Sequence, residues 1–114
     1  MKALLDEGVP KRLARLLGEK GHDVSRFPNA WKGLQNGKLL VRLRAEGFRC
    51  LITCDKNLIF QHNSMSVEVA ILVLPTQDLF ALVGMMDRIS DALAACEIGV
   101  PVVLDRHGTF RAFG

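Results

Sequence analysis

Residues 48–57 read FRCLITCDKN, an apolar run that gives way abruptly to polar residues. Apart from Arg49, the segment 48–53 is nearly all apolar. An apolar run of this length is typical of a strand that is buried on both faces, as in a parallel sheet. Asp55 follows almost directly. The stretch therefore predicts a central strand with a carboxylate just beyond its carboxyl end.

Strands and helices are predicted to alternate over the rest of the chain. Apolar runs bounded by turn residues predict four further strands, at 2–5, 22–27, 68–74 and 100–104. Apolar residues at helical spacing predict helices at 10–20, 38–46 and 78–96. The tail from Arg106 leaves room for a short extra ribbon. This alternation implies right-handed crossovers and one α/β domain, residues 1–114, with a mostly parallel five-stranded sheet.

Local signals mark where the predicted helices begin and end. Gly21 and Gly47 each follow a helical pattern and are good stops, because glycine accepts the left-handed conformation that closes many helices. Asp78, or Thr76 just before it, is a suitable N-cap for the long helix 78–96.

Composition limits the classes of function. The chain is 49% hydrophobic, enough for a core, but no apolar run approaches the roughly 20 residues that cross a bilayer. Asp6 and Glu7 interrupt the apolar start, so no signal peptide is expected. The three cysteines show no C-x-x-C spacing, which argues against a disulfide framework or a zinc site. A cytoplasmic protein is expected.

Charge is spread unevenly along the chain. Residues 1–54 contain eleven Lys and Arg against five Asp and Glu, whereas residues 55–114 contain four against seven. The first part is therefore net positive and the second net negative. A basic half attracts phosphates, although charges of this kind also simply solvate helix faces.

Three carboxylates are predicted at the carboxyl edge of the sheet, where open α/β sheets bind their ligands. Asp6, Asp55 and Asp105 each follow a predicted strand. Carboxylates gathered at one edge repel each other and coexist best around a cation, and Mg²⁺ prefers such oxygen ligands. Neutral oxygens are expected nearby from four amides: Asn36, Asn57, Gln61 and Asn63.

Simpler structural roles compete for the same residues. Asp6 and Glu7 are also suited to cap the first helix and to complement its dipole. Asp55 and Asp105 are ordinary turn formers. Trp31 is either a packing residue over a loop or a platform for a base.

Three motifs in order carry a resemblance to a known family. Residues 4–10 read LLDEGVP and residues 21–24 read GHDV. Residues 31–40 read WKGLQNGKLL, and residues 53–63 read TCDKNLIFQHN. Together they resemble the openings and central motifs of bacterial PIN-like proteins of uncharacterised function. The likeness runs from about residue 2 to about residue 75.

The resemblance implies a Rossmann-like PIN fold with helices on both faces of the sheet. It also implies a relation to the toxins of toxin–antitoxin pairs, which cleave RNA with Mg²⁺ or Mn²⁺ held by three or four acids. By position, Asp6 matches the first acid and Asp55 a later one. Two further acidic positions fall near Asn36 and at Asn57, where amides stand. An amide ligates through oxygen without charge, so weaker metal affinity is expected.

Two functions follow as hypotheses. In the first, the chain is a ribonuclease in which Asp6 and Asp55 bind the metal and act in catalysis with Asn36 and Asn57. The residues expected to contact the RNA are Glu7, Arg12, Arg15, Lys38, Lys56, Gln61 and Asn63. In the second, the chain is a weak or inactive PIN-like domain that binds a nucleic acid or a protein.

The predicted helix 78–96 suggests a further partner. Its apolar residues, among them Phe80, Val83 and Met85, cover more than one stripe. Exposed side chains of this type suit a protein contact, so a two-fold homodimer is expected. An antitoxin protein is the other partner that the resemblance implies.

Overall fold

The computed structural model of the protein describes residues 1–58 and 68–112, with only the backbone at Asn36. Gln61 and Asn63 lie outside the described residues. The strands are β1 (Ala3–Leu5), β2 (Val24–Ser25), β3 (Cys50–Thr53), β4 (Ala70–Val73), β5 (Val102–Leu104) and β6 (Phe110–Ala112). The helices are α1 (Arg12–Glu19), α2 (Asn36–Ala45), α3 (Leu79–Val83) and α4 (Met86–Ala94), with a 3-10 turn at Asn29–Trp31.

The strands form one mixed sheet of six strands in the order β2-β1-β3-β4-β5-β6. The pairs from β2 to β5 are parallel, and β6 pairs antiparallel with β5. The α/β class is confirmed. The predicted count of five strands is wrong by one, because the tail after Arg106 turns back and adds β6 to the edge.

Two apolar cores lie on the two faces of the sheet. Successive residues of a strand point to opposite faces, so Leu5 joins one core and Leu4 the other. The first core also takes buried residues from α1, α3 and α4, and the second takes them from α2. Helices therefore cover both faces. Within the described ranges, no helix is long and apolar enough to span a membrane.

The prediction of a single helix over 78–96 is wrong. Two helices replace it, Leu79–Val83 and Met86–Ala94, separated at Gly84 and Met85. Met85 has φ −125° and ψ 26°, outside the helical region. Glycine is a poor helix former, and breaking here lets α3 and α4 both bury apolar side chains in the first core. The predicted cap is confirmed, since Asp78 Oδ1 accepts a hydrogen bond from the Phe80 N–H.

Glycines end α1 and α2, as predicted. Gly21 has φ +93° and Gly47 has φ +89°, a conformation that side chains disfavour. The next residue in each case donates its N–H back into the helix, His22 to the Leu17 carbonyl and Phe48 to the Leu43 carbonyl. These bonds satisfy carbonyls that the helix end would otherwise leave unpaired.

Opposite effects of alanine are expected at two glycines. Gly18 lies inside α1 with open space around it, so Gly18→Ala should stabilise the fold by about 0.5–1 kcal/mol. Gly47→Ala should destabilise it by about 1–2 kcal/mol, because alanine is strained at positive φ. Urea unfolding followed by circular dichroism measures both. Equal effects of the two substitutions would contradict this account of the helix ends.

Candidate functional site

Asp6 is held at the carboxyl end of β1 by contacts with β3. Its backbone N–H donates to the Ile52 carbonyl at 2.8 Å. Its Oδ1 accepts from the Glu7 N–H at 2.8 Å, and its Oδ2 accepts from the Thr53 hydroxyl at 2.7 Å. The α1 N-cap is Lys11, with no side-chain cap. The alternative that Asp6 or Glu7 caps α1 is therefore wrong, and the pairing of β1 with β3 orients the Asp6 carboxylate.

Thr53 joins the two aspartates, a role that its place in the sequence did not predict. The side chain is fully buried, and it is the one buried polar or charged residue in the described part of the chain. While its hydroxyl donates to Asp6, it accepts from the Asp55 N–H at 3.0 Å. The available signal was a hydroxyl at the polar end of an otherwise apolar strand.

Asp55 forms the turn that follows β3. Its Oδ1 accepts from the Asn57 N–H at 2.9 Å, and its carbonyl accepts from the Leu58 N–H at 3.2 Å. Leu58 is fully buried in the second core, so the turn is anchored. The role of Asp55 as a turn former is confirmed. This half-buried residue still lies at the same edge as Asp6, because its backbone N–H and the Asp6 carboxylate both bond to Thr53.

The loop after β4 contacts the loops that follow β1 and β3. The Cys54 thiol donates to the Thr76 carbonyl at 3.2 Å. Burial raises the pKa of this thiol to about 11, and the Asp6 carboxylate adds to the rise. Gly8 faces Gln77 so closely that a Cβ there would lie 2.9 Å from the Gln77 Nε2. The exits of β1, β3 and β4 therefore meet at one edge.

The predicted phosphate-binding cations lie on both faces of the sheet. Arg12 stands in the first turn of α1 and Lys38 in the first turn of α2, and both are exposed. A helix that connects parallel strands starts at their carboxyl edge, so both residues flank that edge. Arg15 lies a turn further along α1, where it pairs with Glu19 at 3.6 Å.

The remaining predicted residues have plainer positions. Glu7, Lys56 and Asn57 are exposed in the loops after β1 and β3. Asn36 is the first residue of α2.

Asp105 and Trp31 serve the fold. Asp105 Oδ1 accepts from the N–H groups of His107 and Thr109, at 2.9 and 3.0 Å, in the turn between β5 and β6. This is the plain turn role. Trp31 is only 6% exposed and packs edge-on against Phe27, with the ring centroids 6.4 Å apart. A buried ring offers no face to a base, so Trp31 is a packing residue.

Asp6 and Asp55 are the candidate metal ligands at this edge of the sheet. Among residues 1–58 and 68–112, no three His, Cys, Asp or Glu side chains are grouped closely enough to hold a metal ion. Mg²⁺, however, commonly uses only one or two carboxylates and completes its shell with water and substrate phosphates. A site of that kind needs no more carboxylates than those of Asp6 and Asp55. They do not match a cage built wholly from protein ligands.

Comparison of the chain with protein-family models, with curated proteins and with solved structures finds no match.

The raised pKa of Cys54 gives a direct test of its closeness to Asp6. Only the thiolate is alkylated, so at pH 8 iodoacetamide should label folded Cys54 about 100-fold more slowly than a thiol with a pKa of 9.0. Asp6→Asn removes one cause of the rise and should speed labelling. Peptide mapping by mass spectrometry follows Cys54 separately from the other two cysteines.

Asp78→Asn is the matched control, since asparagine also caps a helix and Asp78 does not affect the Cys54 pKa. If Asp6→Asn and Asp78→Asn label at the wild-type rate alike, the Asp6 carboxylate is not beside the thiol.

Proposed function

We propose that this chain is a PIN-like domain that hydrolyses single-stranded RNA with Mg²⁺ or Mn²⁺ at Asp6 and Asp55. One observation carries the proposal. The Asp6 carboxylate and the Asp55 backbone N–H, far apart in sequence, bond to the same buried hydroxyl, that of Thr53, so both aspartates stand at the carboxyl edge of the sheet. In a sheet ordered 2-1-3-4-5, β1 and β3 are also the strands at which the winding direction reverses, and ligands bind there.

The protein's own residues have defined tasks under this proposal. A bound divalent cation supplies positive charge against the phosphate and lowers the pKa of a water molecule. The carboxylate of Asp6 is already oriented by two donors, and that of Asp55 by the Asn57 N–H. The amides of Asn36 and Asn57 would orient the attacking water or the phosphate. Gln61 and Asn63 keep the substrate role expected from the resemblance.

Positive charge near the edge supports a polyanionic substrate. Arg12 and Lys38 flank the edge from the two faces of the sheet, and Lys56 is exposed in the loop after β3. Lysine and arginine that neutralise phosphates release counterions, which drives binding to a nucleic acid. Under this proposal Arg15, a turn further along α1, and Glu7, next to Asp6, contact the same strand of RNA.

A binding module is the second candidate, and a specific observation favours it. No third acidic side chain joins Asp6 and Asp55 among the described residues, and amides stand at Asn36 and Asn57, where the nucleases that the sequence resembles carry acids. Fewer charges hold a cation more weakly. A weak or inactive domain of this kind would bind a nucleic acid or a protein without cleaving it.

The expected partners belong to the same proposal. Relation to toxin nucleases implies an antitoxin protein encoded nearby and a cytoplasmic location. The exposed apolar surface that would support a homodimer is smaller than the sequence suggested, because Met85 is partly buried against the first core. On α3, the large apolar side chains that remain exposed are Phe80 and Val83.

Loss of either aspartate should abolish cleavage while the fold persists. With Mn²⁺ and labelled single-stranded RNA of mixed sequence, we expect Asp6→Asn and Asp55→Asn to slow cleavage at least about 100-fold, since each removes a charge from a two-carboxylate site. Asp91→Asn, an exposed residue of α4, should cleave at the wild-type rate.

Gel electrophoresis of the products measures the rate, and circular dichroism checks folding. Wild-type protein that binds RNA but cleaves none of the substrates in either metal would instead establish the binding module.

A further inference from the structure

A groove of about 380 Å³ lies beside the candidate site. It opens between the loop after β4, the helix α3 and the loop after β5. The side chains that matter for the argument are Thr76, Asp78, Phe80, Met85 and Arg106. Its volume is within the range of small-molecule pockets, roughly 300–1,000 Å³, and would accept a nucleobase.

Phe80 is the feature of the groove that needs an explanation. Its side chain is 90% exposed, the most exposed of the large hydrophobic residues in the described ranges. The backbone that carries it is well held. Its N–H donates to Asp78 Oδ1, and the Asp78 N–H donates to the Thr76 hydroxyl at 3.1 Å. Because the backbone is already held, only the two side-chain torsions of Phe80 would be ordered when a flat ligand stacks on the ring.

The other side chains of the groove provide polar contacts. Arg106 is exposed, and no hydrogen bond or ion pair engages it within the described part of the chain. A guanidinium group recognises phosphate through paired N–H groups. The Asp78 carboxylate lies at the same groove and has acceptor capacity left for an exocyclic amine. An aromatic ring with one cation matches a base with its phosphate.

The groove is continuous with the edge that carries Asp6. Thr76 lines the groove, and its carbonyl accepts a hydrogen bond from the Cys54 thiol. Cys54 directly follows the end of β3, between Thr53 and Asp55. Gln77, in the same loop, contacts Gly8 next to the β1 exit. The groove and the edge that carries Asp6 therefore share this loop.

We propose that the groove binds one unpaired base of a single-stranded nucleic acid, stacked on Phe80, with a neighbouring phosphate at Arg106. The identity of the polymer rests on the proposed function, whereas the stacking does not require cleavage. A second copy of the chain fits the groove less well. A stable dimer buries roughly 800 Å² on each partner, while the large apolar side chains exposed on α3 are Phe80 and Val83 alone.

Binding in EDTA separates this proposal from catalysis. Fluorescence anisotropy with labelled eight-nucleotide oligouridylate and oligoadenylate should give a Kd about tenfold higher for Phe80→Ala than for wild type. Phe80→Trp should retain binding, since it keeps a stacking face. Val83→Ala is the matched control, exposed on the same helix but outside the groove, and should bind as wild type does.

Arg106→Ala should also weaken binding and lower the slope of log Kd against log salt by about one, as loss of a single phosphate contact predicts. Asp91→Asn, at an exposed position outside the groove, should leave Kd unchanged in EDTA. Light scattering of wild type and Phe80→Ala accompanies these titrations.

The outcomes test the groove proposal separately from the nuclease proposal. Equal Kd for Phe80→Ala and wild type, or no binding of any single strand, overturns the groove proposal. A twofold mass that falls to the monomer value in Phe80→Ala also overturns it, and assigns the groove to a second copy. Phe80-dependent binding without metal-dependent cleavage supports the groove and rejects the nuclease.

Discussion

The parallel pairing of β1 with β3 determines where every part of the candidate site lies. Ala3, Leu4 and Leu5 pair with Cys50, Leu51 and Ile52 in register. Both strands are buried on both faces, so a shift by one residue would move each side chain into the opposite core. The register places Asp6 next to Thr53, one residue beyond the paired segment. Hydrophobic burial thus fixes the position of a polar contact.

The buried Thr53 hydroxyl has a hydrogen-bond partner both as a donor and as an acceptor. A buried hydroxyl without a partner costs roughly 1–3 kcal/mol, and Thr53 uses its hydroxyl both as donor to Asp6 and as acceptor from Asp55. No buried side-chain polar atom lacks a partner across the described ranges. Each oxygen of Asp6 accepts one hydrogen bond and has a further lone pair, so the carboxylate is oriented while it keeps capacity for a ligand.

The sequence predicted those features of the fold that depend on a few neighbouring residues. The strands around Asp6 and Asp55, the helix stops at Gly21 and Gly47, and the Asp78 cap all follow from signals within a few residues. The break at Gly84 did not, because the apolar spacing continues through it and packing on the shared core decides where the helix divides.

Contacts between residues far apart in the sequence explain the other differences between the predictions and the structure. The role of Thr53 depends on a partner 47 residues away in the sequence, and its type alone indicates only a strand end. Exposed apolar side chains were predicted on this segment, and Phe80 and Val83 are exposed, but only the folded core shows that Met85 packs against it. A divalent cation shared by Asp6 and Asp55 is the central claim, and titration calorimetry with Mn²⁺ tests it most directly. The account predicts one site in the wild type and at least about tenfold weaker binding in Asp6→Asn and in Asp55→Asn; Mn²⁺ affinity that is the same in all three proteins would contradict it.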